Sequence, residues 1–142
     1  MKVTRLSPAA LKAASGGCFC FAARKRARIL TRLYDATLSE HGLTSGQFSM
    51  LAALAGAGPL TVQRLADVME LDHSATSRGI APLLRAGLLG QVKDASDGRK
   101  RVLNLTEAGT AKLNTAALAW DALQHKIESD AQFIETAMKT TR

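Results

Sequence analysis

The stretch from Thr61 to Gly109 constrains the fold more than any other. It reads TVQRLADVMELDHSATSRGIAPLLRAGLLGQVKDASDGRKRVLNLTEAG. Two segments with helical spacing, VQRLADVM and HSATSRGIAPLLRAG, flank the turn ELD. Thr61 caps the first, Asp72 or Ser74 caps the second, and Gly87 ends it. Leu88 to Lys93 reads as a strand, 94–100 as a loop, and Arg101 to Leu105 as a returning strand. In that strand Leu103 and Leu105 alternate with Val102 and Asn104. A helix-turn-helix that runs straight into a two-stranded hairpin has the order of a winged helix.

The flanks are helical. Cys18 to His41 holds no Pro or Gly, repeats apolar residues at helical spacing, and meets a C-cap glycine at Gly42. Thr44 or Ser45 caps a shorter helix, Gln47 to Ala55, with Phe48, Leu51 and Leu54 inward before GAGP (56–59) breaks it. Thr106 caps a long helix from Glu107 to Ser129, striped by Leu113, Ala117, Trp120, Leu123 and Ile127. Ser129 or Asp130 opens a short last helix to about Lys139. The fold class is mainly α (α+β). The expected organisation is a mobile basic tail over 1–17, dimerisation helices over 18–42 and 106–142, and a winged helix-turn-helix domain over 43–105. A small domain cannot cover both long helices, which implies a second copy of the chain.

Composition narrows the partner. The 142 residues carry a formal charge of +7, which favours nucleic acid first and an anionic membrane surface second. The charge is uneven. Lys2, Arg5, Lys12, Arg24, Lys25, Arg26, Arg28 and Arg32 all precede the first acid, Asp35. No apolar run reaches the roughly 18 residues of a membrane span, and the N-terminus makes a poor signal peptide. The expectation is a cytoplasmic protein with no membrane partner. No Gly-rich phosphate loop, His-Glu-x-x-His motif or nucleophile–base set is visible, so an enzyme is not expected, nor a cofactor.

Three blocks resemble the MarR family of bacterial transcriptional regulators. LTSGQFSMLAAL (43–54) is similar to the family's second helix, and LTVQRLADVMELDHSATSRGIAPLLRAGLL (60–89) to its helix-turn-helix. DGRKRVLNLTEAG (97–109) matches its wing signature and is the most specific of the three. The resemblance spans about residues 18–139 and implies a homodimeric repressor on an inverted-repeat operator in double-stranded DNA. Relief by a small ligand or by thiol oxidation is part of that expectation.

Residue by residue, the helix His73–Ala86 packs inward through Thr76, Ile80, Leu83 and Leu84 and turns His73, Ser74, Ala75, Ser77, Arg78 and, near its end, Arg85 outward. Small polar residues and one arginine at a helix start suit a major groove, where Arg78 can read guanine or clamp a phosphate. By the resemblance, Asp97 organises the wing and Arg99 enters the minor groove, with Lys100 and Arg101 near phosphates. Two residues depart from the family pattern. Gly79 stands where a larger apolar residue is usual, and Pro82 lies inside the helix, which predicts a kink or an early loosening.

Cys18 and Cys20 form C-x-C. Side chains two apart on a helix diverge by about 200°, so they make a poor chelate and a poor disulfide, and no metal site is expected. Cys20, with Tyr34 and GLT (42–44) downstream, is similar to the peroxide-sensing branch of the family and is a candidate redox sensor. Arg24 departs from that branch, which carries a tyrosine there. Cys20 and Tyr34 lie about 21 Å apart along one helix and could meet only across a dimer. Family members also take small aromatic acids or other amphipathic ligands between the dimer helices and the DNA-binding domain. Tyr34, Leu38, His41, Phe48 and Trp120 are the residues here that such a cavity could use, and each could equally be core. The alternatives are a non-specific architectural DNA binder and, further off, a thiol or metal protein.

Overall fold

The computed structural model describes residues 5–130, 132–133 and 135–136. Helix α1 (Pro8–Gly16) starts where the Ser7 hydroxyl accepts the Ala10 N–H and Pro8 supplies the first helical residue. The tail expected over 1–17 is therefore helical across most of its described length, although almost wholly exposed. Its alanines, with proline at the first position, favour helix without a core to pack on.

Helix α2 (Phe19–Leu38) is about 30 Å long. Its continuation to His41 tightens into one 3-10 turn, Ser39–His41, closed by Gly42 in the left-handed region at φ 69°. Helix α3 (Ser45–Ala57) opens with a reciprocal cap. The Thr44 hydroxyl accepts the Gln47 N–H, and the Gln47 side chain accepts the Thr44 N–H. The helix runs two residues beyond the expected end because Gly56 remains helical, and the break falls at Gly58, φ 79°, ahead of Pro59.

Helices α4 (Val62–Met69) and α5 (His73–Arg85) follow, capped by Thr61 and Asp72. Glu70 turns the chain between them in the left-handed region at φ 53°, and the Leu71 N–H closes the turn on the Ala66 carbonyl. Strands β1 (Leu89–Lys93) and β2 (Arg101–Leu105) pair antiparallel, from Leu89 opposite Leu105 to Lys93 opposite Arg101. Leu60 exchanges both backbone hydrogen bonds with Leu103, at 3.1 and 2.7 Å, and so adds a third, one-residue rung. The apolar alternation predicted for β2 gives way to adjacent buried residues, Val102 and Leu103.

Helix α6 (Glu107–Ser129) is tied to the hairpin at its first turn. The Thr106 hydroxyl caps Gly109 and donates to the Gly87 carbonyl, while the Thr106 N–H bonds the Leu88 carbonyl. Gly109 lets the helix backbone come this close, because a β-carbon there would overlap the Leu88 carbonyl oxygen. The core joins the two halves: Leu38, Leu51, Leu54, Leu65, Leu83 and Leu103 are among its buried members, with Leu113 and Ala116 from α6. The short last helix expected to Lys139 falls partly outside the described residues. Asp130 accepts the Phe133 N–H, and the described residues after Asp130 are helical. Among the described residues no helix is long and apolar enough to cross a membrane.

Candidate nucleic-acid interface

The first turn of α5 is held by Asp72, whose carboxylate accepts the Ala75 N–H at 2.6 Å. Thr76 is fully buried, and its hydroxyl is satisfied by the Asp72 carbonyl. With Ile80 and Leu83 it fixes the rotation of the helix against α3 and α4. That rotation leaves His73, Ser74 and Arg78 exposed and Ala75 and Ser77 half-buried. The Arg78 guanidinium folds back to donate to the Ser74 hydroxyl at 2.6 Å, and Ser77 lies 3.5 Å from the His73 ring. Of the five residues expected outward over the first turns, three are thus exposed and two are half-buried, and the small members leave room for a close approach.

Both departures resolve locally. A β-carbon at Gly79 would overlap the terminal methyl of Met50, so the buried Met50 of α3 fills the space that a larger residue would take from α5. Met50 lay outside the expected inward set, and its burial follows from that hollow. Pro82 does not loosen the helix early: α5 stays helical to Arg85, and the Pro82 carbonyl accepts the Ala86 N–H. Leu83, buried on the core, and half-buried Leu84 hold that last turn.

The hairpin projects a basic tip. Arg99, Lys100 and Arg101 are exposed. The Asp97 carboxylate accepts the Arg99 N–H at 3.1 Å, and the Asp97 carbonyl accepts the Lys100 N–H at 2.9 Å. A second acid absent from the expected set does as much. Asp94 accepts both the N–H and the hydroxyl of Ser96 at 2.9 Å, and its own N–H bonds the Lys100 carbonyl. The Ser96 N–H, then the Ser96 hydroxyl, hold the Asp94 carboxyl below the usual aspartate range. The sequence signal was the spacing Asp-x-Ser, an Asx turn that fixes a loop through its side chain.

Cys18 and Cys20 are both exposed and unbridged. Cys18, not Cys20, stands at the helix N-cap, with its sulfur accepting the Phe21 N–H at 3.5 Å. Among the described residues no cluster of three or more His, Cys, Asp and Glu is placed to hold a metal ion.

A cleft of about 390 Å³ opens between α2, α3 and α6. Tyr34, Leu38, Phe48 and Trp120 converge on it, whereas His41 lies in a different depression with Gly42, Leu88 and Lys112. Phe48 and Trp120 stack with centroids 5.8 Å apart and planes 21° from parallel. The Tyr34 hydroxyl donates to the Gln124 side-chain oxygen at 2.5 Å, and the Gln124 amide donates to Glu128 at 2.9 Å. Burial, and then the Glu128 carboxylate, push the Tyr34 phenol up from its ordinary value.

Known proteins are similar to this chain in sequence and in fold. The sequence pattern describing the MarR family matches residues 41–100. A curated relative, the HTH-type transcriptional repressor NicR of Pseudomonas putida, is 37% identical over 92 residues, covering 64% of this chain and 58% of the relative. The aligned part thus spans a little over half of that relative's length. The M. tuberculosis transcriptional regulator MosR, solved in complex with DNA, superposes with a TM-score of 0.72 at 27% identity, covering 88% of this chain and 99% of that one. Bordetella bronchiseptica BpsR, whose DNA binding is regulated by 6-hydroxynicotinic acid, superposes at 0.68 and 22% identity over 79% of each chain, a likeness of fold.

Proposed function

We propose that the chain is a MarR-type regulator, as the match over residues 41–100 supports, and that it binds double-stranded DNA and regulates transcription. The observation that carries this is the presence of two exposed elements on one packed core. The first turns of α5 offer His73, Ser74, Ala75, Ser77 and Arg78, and the hairpin tip offers Arg99, Lys100 and Arg101. A helix start with small side chains reads base edges in a major groove, and an arginine on a hairpin reaches the narrower groove beside it. Asp97 and Asp94 shape the tip through carboxylates that accept the Arg99 and Ser96 N–H groups.

The active unit is a homodimer on an inverted repeat, with its two recognition helices about one DNA turn apart. Support comes from the long helices: Phe19 and Leu118 are 92% and 77% exposed, an apolar surface that a second copy would cover. Repression is the expected sense of regulation, and a ligand in the cleft lined by Phe48 and Trp120 would relieve it. Oxidation is a second route to release. Cys20 is exposed on the first turn of α2, and Cys18 caps the same turn.

Selection of bound fragments from genomic DNA yields the site. Competition between that site and random DNA at fixed salt then tests the reading. A site preference of a thousandfold or so is expected of a specific regulator. A preference near unity with a steep salt slope would instead identify an architectural binder that holds only phosphate. For the thiols, Cys20→Ser should keep DNA through a peroxide challenge that releases wild type, and equal release by both proteins removes Cys20 from the sensing role.

A further inference from the structure

The cleft between α2, α3 and α6 has a charge pattern that selects its occupant. Its polar lining is Thr31, Tyr34, Ser45 and Ser49, the rest is apolar or aromatic, and no lining residue is charged. The charges fixed beside it are negative. Asp35 follows Tyr34, and its carboxylate takes the N–H of the lining residue Ser45 at 2.7 Å, which occupies a donor at the positive end of α3. Glu128 accepts from the Gln124 amide and acts electrostatically on the Tyr34 phenol. Arg26, Arg28 and Arg32 flank lining residues of α2 in sequence, but all three are exposed and outside the lining.

Hydrogen bonding narrows the choice further. Tyr34 spends its one O–H on Gln124, so its oxygen is left as an acceptor. The Ser49 hydroxyl is likewise spent, on the Ser45 carbonyl. The stacked pair Phe48 and Trp120 offers a flat apolar wall. A carboxylate placed here would lose part of its water, find no cation in the lining and lie near two fixed carboxylates.

We infer that this cleft takes an uncharged planar aromatic molecule carrying an N–H or O–H donor for the Tyr34 oxygen, and discriminates against aromatic carboxylates. The inference rests on the reading of the cleft as an effector site. A primary amide of an aromatic acid has the required shape and donor, and it differs from the acid mainly in charge.

Matched pairs test it on the full chain at neutral pH: benzamide against benzoate, salicylamide against salicylate, and 6-hydroxynicotinamide against 6-hydroxynicotinate. Trp120 is the chain's only tryptophan, so quenching of its fluorescence reports occupancy, with calorimetry as a second readout. Within a pair that binds, the amide is expected to bind tighter by about tenfold or more. Tyr34→Phe, checked for helicity, should erase much of that advantage. Acids that bind as tightly as their amides overturn the inference and leave the effector site standing. If no member of any pair binds up to millimolar concentration, the effector reading fails and takes this inference with it.

Discussion

Residues 43–105 and the N-terminal half of α2 solve the same problem in opposite ways. Between Leu43 and Leu105, each helix turns apolar residues onto a shared core, and the hairpin is stitched to that core by Leu60. From Phe19 to Arg28, by contrast, every residue is exposed, and burial in α2 begins only at Ile29. The first region is stabilised by its own chain. The second is a helix of some 15 Å with little tertiary support, which is marginal in water unless something packs on it. The difference teaches which part of the chain its own core covers and which part would need a second copy to cover it.

The largest expected effect separates the two regions. Leu51 is fully buried, and Leu51→Ala should cost about 2–5 kcal/mol in chemical unfolding. Phe19→Ser removes a larger side chain, yet at 92% exposure it has little packing within its own chain to lose. Its effect should appear in sedimentation as a weaker dimer, with the unfolding of dilute protein nearly unchanged. Comparable losses for both variants in dilute monomer would erase the distinction.

The junction of the hairpin with α6 comes next. Gly109→Ala gains helix propensity but places a β-carbon on the Leu88 carbonyl, so α6 must move off β1. A net loss of about 2–3 kcal/mol is expected by denaturant titration. Gly79 offers an internal contrast. A β-carbon there meets only the flexible end of Met50, so Gly79→Ala should cost far less.

These two glycines also mark how far the sequence could be read. The order of elements was legible because caps and breakers are local: Thr44, Thr61, Asp72 and Thr106 all cap where spacing placed them, and α6 ends at Ser129 as expected. The outward set on α5 was legible because its buried partners, Thr76, Ile80 and Leu83, follow helical spacing. What could not be read depends on contacts between distant segments. Leu60 pairs with Leu103, Met50 fills the hollow at Gly79, and His41 points away from the cleft that Trp120 lines. The helix within the tail went unread for a different reason: Ser7 and Pro8 start it by local chemistry, and none of its residues is buried.

Within the exposed interface, a smaller effect separates helix from wing. Arg78→Ala should weaken the preferred site by about 1–3 kcal/mol and relax base choice there. Lys100→Ala should weaken all DNA alike and lower the salt slope by about one. Binding measured on the selected site and on random DNA across a salt series distinguishes the two. Identical, sequence-blind losses would reduce Arg78 to a phosphate clamp, a role its present bond to Ser74 leaves open to it.

The smallest effect concerns what holds the wing tip in shape. Asp94 is held below the ordinary aspartate range, about 3.9, by its bonds to Ser96. A lowered folded value means that the carboxylate form stabilises the fold. That contribution is complete above the unfolded value and is lost as pH falls through the lowered one. The wing tip should therefore loosen only in acid, below about pH 4. The Ser96 amide resonance would report the change by shifting over that range. Asp94→Asn keeps an acceptor for the Ser96 N–H without a titrating charge, so the Ser96 shift should flatten while binding of random DNA at neutral pH changes little. A loss of DNA binding in Asp94→Asn at neutral pH would mean that the carboxylate itself, beyond the turn it shapes, sets where Arg99 and Lys100 stand.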